Sequence, residues 1–325
     1  MPRIVPIDCH YRGMPRFAAA YLVIEGDRAA FVDNNTVRAL PHLLKGLRAH
    51  GVAAHQVDTL VVTHAHLDHA GGTAALAEAC PEATVLAHPR AAPHLIDPAK
   101  LVEGATAVYG QELFDELYGR VEPVPADRVR VVEDGESVDF AGRDWTVLHT
   151  RGHADHHFCL HDAVSGALFA GDAFGLAYPD LQGQGVVAFP STSPTGFRPD
   201  EARASVDRIL ELEPSTVYLG HFGGLEAPLL PAAARQLHRH LDFAKGLAGE
   251  AETSDLDDEE LRRWVHPRLM DYFRGVLDGL GPLARDPRTW EILAMDLDLN
   301  AQGIAFAAKK ARFKASQAQP SSSPG

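Results

Sequence analysis

Six consecutive positions, His64-Ala65-His66-Leu67-Asp68-His69, set three imidazoles and a carboxylate directly after the apolar run Thr59-Leu60-Val61-Val62-Thr63. The run is short and β-branched, and it reads as a strand buried on both faces. Gly71-Gly72 follows, then residues 73–79 as a short helix with Thr73 as its N-cap. The cluster therefore occupies a loop at the carboxyl end of a buried strand. A protein core does not tolerate four such groups unpaired, whereas zinc, iron and manganese take imidazole and carboxylate as ligands. His64 and His66 share a direction if extended geometry continues through them, while Asp68 and His69 require the chain to turn. One loop can thus face two adjacent metals.

A catalytic metal needs more ligands than one loop supplies, and three further strands end on them. Residues 130–140 and 144–150 read as strands around turns at Asp134-Gly135 and Gly142, and the second runs into Arg151-Gly152-His153. Leu168-Phe169-Ala170-Gly171-Asp172 ends a strand on a carboxylate, and Thr216-Val217-Tyr218-Leu219-Gly220-His221 ends another on a histidine. His156 and His157 lie just beyond His153 and stand as partners that orient the ligands.

The ordered set HAHLDH, GH, GD, GH resembles the metallo-β-lactamase-fold superfamily, in particular its hydroxyacylglutathione-hydrolase-like (glyoxalase II-like) branch, over residues 17–224. The resemblance implies two divalent metal ions, zinc first, with iron or manganese as alternatives. It places one on His64, His66 and His153 and the other on Asp68, His69 and His221, with Asp172 bridging. Asp172 stands where the lactamases proper have a cysteine, which favours the binuclear hydrolase side of the superfamily. Arg151 occupies a place commonly held by proline, and no match to the family's glutathione-binding residues follows His221. The metal site carries over; the thiol carrier of the substrate does not.

Ahead of the cluster, residues 19–24 and 29–32 flank Glu25-Gly26-Asp27-Arg28 as a hairpin, and Asp33-Asn34-Asn35-Thr36 supplies a turn and cap for a helix over 40–50. After it come a strand at 84–88 and helical stretches at 91–96 and 111–118. Hairpins over 129–172 open a second β-rich half, closed by a helix at 200–212 and the strand ending at His221. Two strand series with helices outside predict an α/β protein, a four-layer αββα sandwich. From Leu225 the patterning is helical: residues 232–247, then a cap at Asp255-Leu256-Asp257-Asp258 before Leu261, Val265, Leu269, Phe273 and Leu277, then a run from 289 to 313. The expected divisions are 1–224 for the sandwich, 225–315 for a C-terminal helical extension and 316–325 for a disordered Pro-Ser-rich tail.

The chain of 325 residues, 46% apolar, suffices for one large domain with an appendage. Its formal charge of -14 excludes a nucleic-acid surface, and Lys309, Lys310, Arg312 and Lys314 read as a solvated helix face. No long apolar run and no signal-peptide core appear, so a soluble, cytoplasmic protein with no membrane partner is expected. Cys9, Cys80 and Cys159 form no disulfide framework.

Two divalent ions lower the pKa of a bridging water from about 15.7 toward about 7. The expected function is a hydrolase in which that bridging hydroxide attacks a thioester, lactone or related ester of a small-molecule substrate. Asp68 is the expected catalytic residue, ligand and orienter of the hydroxide together. Tyr178 and Arg151 are candidate substrate contacts, the phenol toward an oxyanion and the guanidinium toward an acidic group or a surface carboxylate. The alternatives are a mononuclear iron persulfide dioxygenase on His64, His153 and Asp172, and a binding or regulatory protein on the same scaffold. The C-terminal helices are offered as a homodimer surface.

Overall fold

The computed structural model describes residues 2–183, 185–194 and 196–318. Strands β1 (Arg3–Asp8), β2 (Ala19–Glu25), β3 (Arg28–Val32), β4 (Val57–Val62), β5 (Thr84–Ala87) and β6 (Val129–Val131) form the first sheet, in that order. Strands β7 (Ser137–Phe140), β8 (Arg143–His149), β9 (Phe158–Asp162), β10 (Ala167–Gly171), β11 (Thr216–Leu219) and β12 (Gly224–Glu226) form the second, again as neighbours in chain order. Pairings β3–β4, β4–β5, β5–β6 and β10–β11 are parallel, and the rest are antiparallel. Each parallel pairing demands a crossover. These are α1 (Leu40–Ala49), then α2 (Leu67–Ala70) with α3 (Thr73–Ala79), then α4 (Ala92–Ile96), α5 (Ala99–Tyr109) and α6 (Gln111–Tyr118), and α7 (Pro199–Leu210).

Alternation along the strands fills both faces of each sheet. Tyr21, Val23 and Val61 meet Trp145, Val147, Phe158 and Phe169 between the sheets. The intervening Leu22, Leu60 and Val62 pack outward on Leu43 and Leu47 of α1 and Leu76 of α3. On the other side Cys159, Leu168 and Ala170 pack on Val206 and Ile209 of α7 and on Leu237 of α8 (Leu230–Glu252). The result is an αββα sandwich. Burying a side chain such as Phe158 stabilises it by roughly 1.5–3 kcal/mol.

Beyond α8, α9 (Asp258–Asp278) and α10 (Pro287–Ala318) complete a C-terminal helical layer. Asp257 and Glu260 cap α9 reciprocally, and Leu261, Val265, Leu269, Phe273 and Leu277 form its buried stripe. Among the described residues no helix is long and apolar enough to cross a membrane. The three cysteines are buried and unpaired.

The structure departs from the sequence reading in several elements. The strand expected over 130–140 is two strands in different sheets. β6 extends the first sheet, the chain turns where Glu136 bonds back to the Glu133 backbone, and β7 opens the second. β1, α5 and β12 had no counterpart in the reading. β1 is a half-buried edge strand carrying Pro6, and β12 is three residues long, so neither shows a clean period. β12 continues the sheet beyond residue 224, and the helical layer starts at Leu230. Of the tail expected to be disordered, α10 includes the start and residues 319–325 lie outside the described residues.

Candidate metal centre

Strand direction gathers the expected ligands at one end of the sandwich. β8 and β10 are both antiparallel to β9, and β11 is parallel to β10, so His153, Asp172 and His221 all follow the carboxyl ends of strands that point the same way. Hydrogen bonds from Phe158 N to Thr63 O (2.9 Å) and from Ala19 N to Gly220 O (2.9 Å) tie the two sheets together beside them. In the loop after β4 the chain stays extended through His66, then makes one helical turn, with His69 N and Ala70 N bonded to His66 O. That change of conformation sends His64 and His66 one way and Asp68 and His69 another. Gly220 is needed for close approach, since a Cβ there would lie 2.4 Å from the His69 ring. Gly152 combines φ +116° with backbone contact to Ala202, a place no side chain fits.

The seven side chains form two trios. His64 Nε2, His66 Nδ1 and His153 Nε2 face one another at 2.9–3.2 Å. Asp68, His69 and His221 form the second group, with His221 Nε2 3.3 Å from Asp68 Oδ2. Asp172 stands between them: Oδ2 is 3.5 Å from His153 Nε2, and Oδ1 is 3.3 Å from His69 Nε2. His69 Nε2 and Asp172 Oδ1 are buried and make no hydrogen bond. In the first trio three nitrogen lone pairs converge without a donor between them, which is repulsive until a cation sits among them; in the second, protons on His69 and His221 hold the same places in the metal-free protein, so both sets fit a divalent metal.

The other ring nitrogens show how the lone pairs are aimed. His153 Nδ1 donates to Ser191 O (3.0 Å) and His221 Nδ1 to Phe17 O (3.1 Å). His69 Nδ1 meets Asp33 Oδ2 (2.9 Å), and His64 Nδ1 meets Thr63 Oγ1 (3.2 Å), which itself bonds Asp33. A carbonyl or carboxylate only accepts, and the Thr63 hydroxyl gives its own proton to Asp33, so each fixes a proton on Nδ1 and turns Nε2 toward the centre. His157 Nε2 accepts from the Asp172 backbone N–H (3.2 Å), steadying the shared carboxylate from behind.

Protonation differs between the trios. Burial holds His64, His66 and His153 below the ordinary imidazole range, and for the first two the neighbouring imidazoles add to it. Burial also disfavours charge on His69 and His221, but Asp172 and Asp68 outweigh it, raising His69 well above the usual value and His221 to about 8. The same histidines hold Asp68 and Asp172 well below the carboxylate range despite burial.

Above the centre lies a chamber of about 340 Å³. Asp68, His66, His153, Asp172 and His221 form its floor, and Tyr11, Phe17, Leu101 and Tyr109 contribute to an apolar, aromatic wall. His156 lines it too, with Nδ1 on Ala65 N–H (3.2 Å). The structure places Tyr178 behind the wall, 1% exposed, its hydroxyl donating to Asp296 Oδ2 at 2.9 Å. Arg151 lies outside the chamber lining, paired with Asp155 (3.0 Å) and Glu201 (3.1 Å). Sequence reasoning missed Asp33, Thr63, Ser191 and Asp296. Of these Asp33 carried a signal, an acid at the end of a strand parallel to β4.

The family model for the Metallo-beta-lactamase superfamily matches residues 13–221. Metallo-beta-lactamase fold-containing protein ST1585 of Sulfurisphaera tokodaii is 33% identical over 53% of this chain and 63% of its own length. Its crystal structure superposes with a TM-score of 0.64 at 23% identity, covering 93% of this chain and 97% of that one. Acyl-coenzyme A thioesterase MBLAC2 of Homo sapiens is 28% identical over 48% of this chain and 57% of its own length. The chain thus spans less than two thirds of either curated relative. A structure of TTHA1623 in a di-iron-bound form aligns with a TM-score of 0.50 at 27% identity, over 73% of this chain and 98% of that one.

Proposed function

Because the chain belongs to the metallo-beta-lactamase superfamily, we propose that it is a binuclear metal-dependent hydrolase of a thioester, lactone or related ester. The observation that carries this reading is Asp172, whose two oxygens face different trios, Oδ2 toward His153 and Oδ1 toward His69. A divalent metal pair, when bound, supplies Lewis acidity for the acyl oxygen and hydroxide near neutral pH. His64, His66 and His153 would hold one ion, Asp68, His69 and His221 the other, and Asp172 both. Asp68 lines the chamber, and its carboxylate would accept the hydrogen bond that orients the attacking group. The apolar wall excludes bulk water and accepts the acyl portion. Thioesters suit the site because a thiolate leaves with little help from a proton donor, whereas the alkoxide of a lactone takes a proton from water as it departs. The thioesterase name of MBLAC2 supports the same bond class, and the di-iron form of TTHA1623 keeps iron beside zinc as an occupant.

The test is elemental analysis of protein purified without chelator, followed by acyl-coenzyme A, S-lactoylglutathione and acyl-homoserine lactone substrates. Two metals per chain, with turnover of one class that chelation abolishes and His64→Ala lowers by about a hundredfold or more, is the expected result. Two metals without turnover of any of these would overturn the reading. One iron per chain with oxygen consumption on a persulfide would replace it with the dioxygenase.

A further inference from the structure

The chamber has a carboxylate that the metal centre does not use. Asp296 projects from α10, outside the residues the family model matches, and it lines the chamber together with Met295 and Leu299 of the same helix. The Tyr178 hydroxyl donates to its Oδ2 at 2.9 Å, and no other described side chain hydrogen-bonds or ion-pairs with it. Tyr178 is itself fixed, stacked on Phe17 with ring centroids 4.7 Å apart. Around the carboxylate the lining is aromatic, with Tyr11, Phe17, Tyr109 and Tyr118, and the Tyr11 and Tyr118 hydroxyls are 3.3 Å apart. Lys100 also lines the chamber and Arg12 lies 6.0 Å from the Phe17 ring, but both are exposed and neither pairs with Asp296.

We propose that Asp296 is a specificity-determining residue, and that the chamber selects a ligand carrying an organic cation, a protonated amine whose apolar body lies against the aromatic wall. A carboxylate anchored on one oxygen leaves the other for a donor, and ring faces favour a cation over a neutral group of the same size. Burial pushes the Asp296 carboxyl up to about 6, still below neutrality, against the opposing pull of His221, the Tyr178 hydroxyl and Arg12. The charge is surplus to the metal site, where Asp68 and Asp172 already serve as ligands. No described cation lies within ion-pair distance of this carboxylate, so a cationic ligand entering along the aromatic wall meets it unpaired. The inference rests on the hydrolase reading for the substrate's scissile bond, but the amine recognition is separable from it.

Calorimetric titration of phenethylamine and of phenethyl alcohol into both metal-loaded and metal-free full-length protein tests it without turnover. The wild type should bind the amine about tenfold or more tightly than the alcohol in both forms. Asp296→Asn should bring the two within about twofold while leaving alcohol binding, metal content and melting temperature unchanged, and Tyr178→Phe should keep a preference for the amine. Absence of a preference in the wild type, including binding of neither probe, overturns the proposal. So does a preference that survives Asp296→Asn, or one seen only with metal loaded, which would place the amine nitrogen on the metal. Loss of all hydrolytic activity with the preference intact would sink the hydrolase reading alone.

Discussion

At the scale of single residues, the two trios differ in what must leave when a metal arrives. His64, His66 and His153 are held neutral by burial, so they coordinate at neutral pH without releasing a proton. His221, raised to about 8, and His69, raised well above its ordinary value, carry protons in the metal-free protein and must lose them to coordinate. Below about 8, protons therefore compete with the second metal, and the competition steepens as pH falls. Zinc titrated into metal-free protein in buffers of different ionisation enthalpy should show one binding step with almost no proton release at pH 7 and another releasing about two. Between pH 8 and pH 6.5 only the second step should weaken, by up to about tenfold per pH unit for each proton. Equal release from both steps would contradict the assignment. The residues that cluster here were legible in the sequence because imidazoles and carboxylates are conspicuous at the ends of apolar strands. Their orienting partners were not, since Phe17 and Ser191 act through backbone carbonyls that any residue could supply.

Among the elements, α10 does more than cover the sandwich. Asn300 Oδ1 accepts from Thr192 N at 2.7 Å, its Nδ2 donates to Pro190 O at 3.2 Å, and Thr192 Oγ1 donates to Asn300 O at 3.0 Å. Between these contacts sits Ser191, whose carbonyl orients His153. The helix therefore holds the loop that orients His153. Gly303 lets them meet, since a Cβ there would fall 1.7 Å from Thr192 O. Asn300→Ala leaves the buried Thr192 N–H without its acceptor and should cost about 1–3 kcal/mol in denaturant unfolding. It should also weaken metal affinity in a chelator competition by about tenfold, the scale of losing an orienting partner. An unchanged affinity with lowered stability would show that α10 only packs. No sequence pattern reveals this clasp, because its partners lie 108 residues apart and neither belongs to a periodic stripe. The helices themselves were readable where an apolar stripe was long, as in α9. The split between β6 and β7 was not, because β6 is three mostly exposed residues whose pairing with β5 is set by tertiary position.

At the scale of the whole molecule, the αββα arrangement followed from alternating strands interleaved with helices. The way the helical layer closes over the carboxyl ends of the strands did not, because crossing positions are decided by packing rather than by period. That layer adds an acid-sensitive term to stability. His240 of α8 is 5% exposed and stacks on Phe273 with ring centroids 5.0 Å apart, its Nδ1 without a hydrogen bond, and burial pushes it down to about 3. Burial likewise lowers His88 and His156 to about 4. Each takes up a proton near 6.5 once the chain unfolds, so the unfolded state binds more protons between that value and the folded one. Stability present at neutral pH is therefore withdrawn as pH falls below 6.5. His240→Phe keeps an aromatic ring against Phe273 and removes one of these protons. Denaturant unfolding of metal-loaded wild type and variant at steps from pH 7 to pH 4.5 should show the wild type losing more stability, by about 1.4 kcal/mol per pH unit once the window is entered. Metal loss in acid affects both proteins alike, so it cancels in the difference between them. Parallel curves would mean that His240 takes a proton in the folded state as readily as in the unfolded one, and that the helical layer opens to water before the sandwich unfolds.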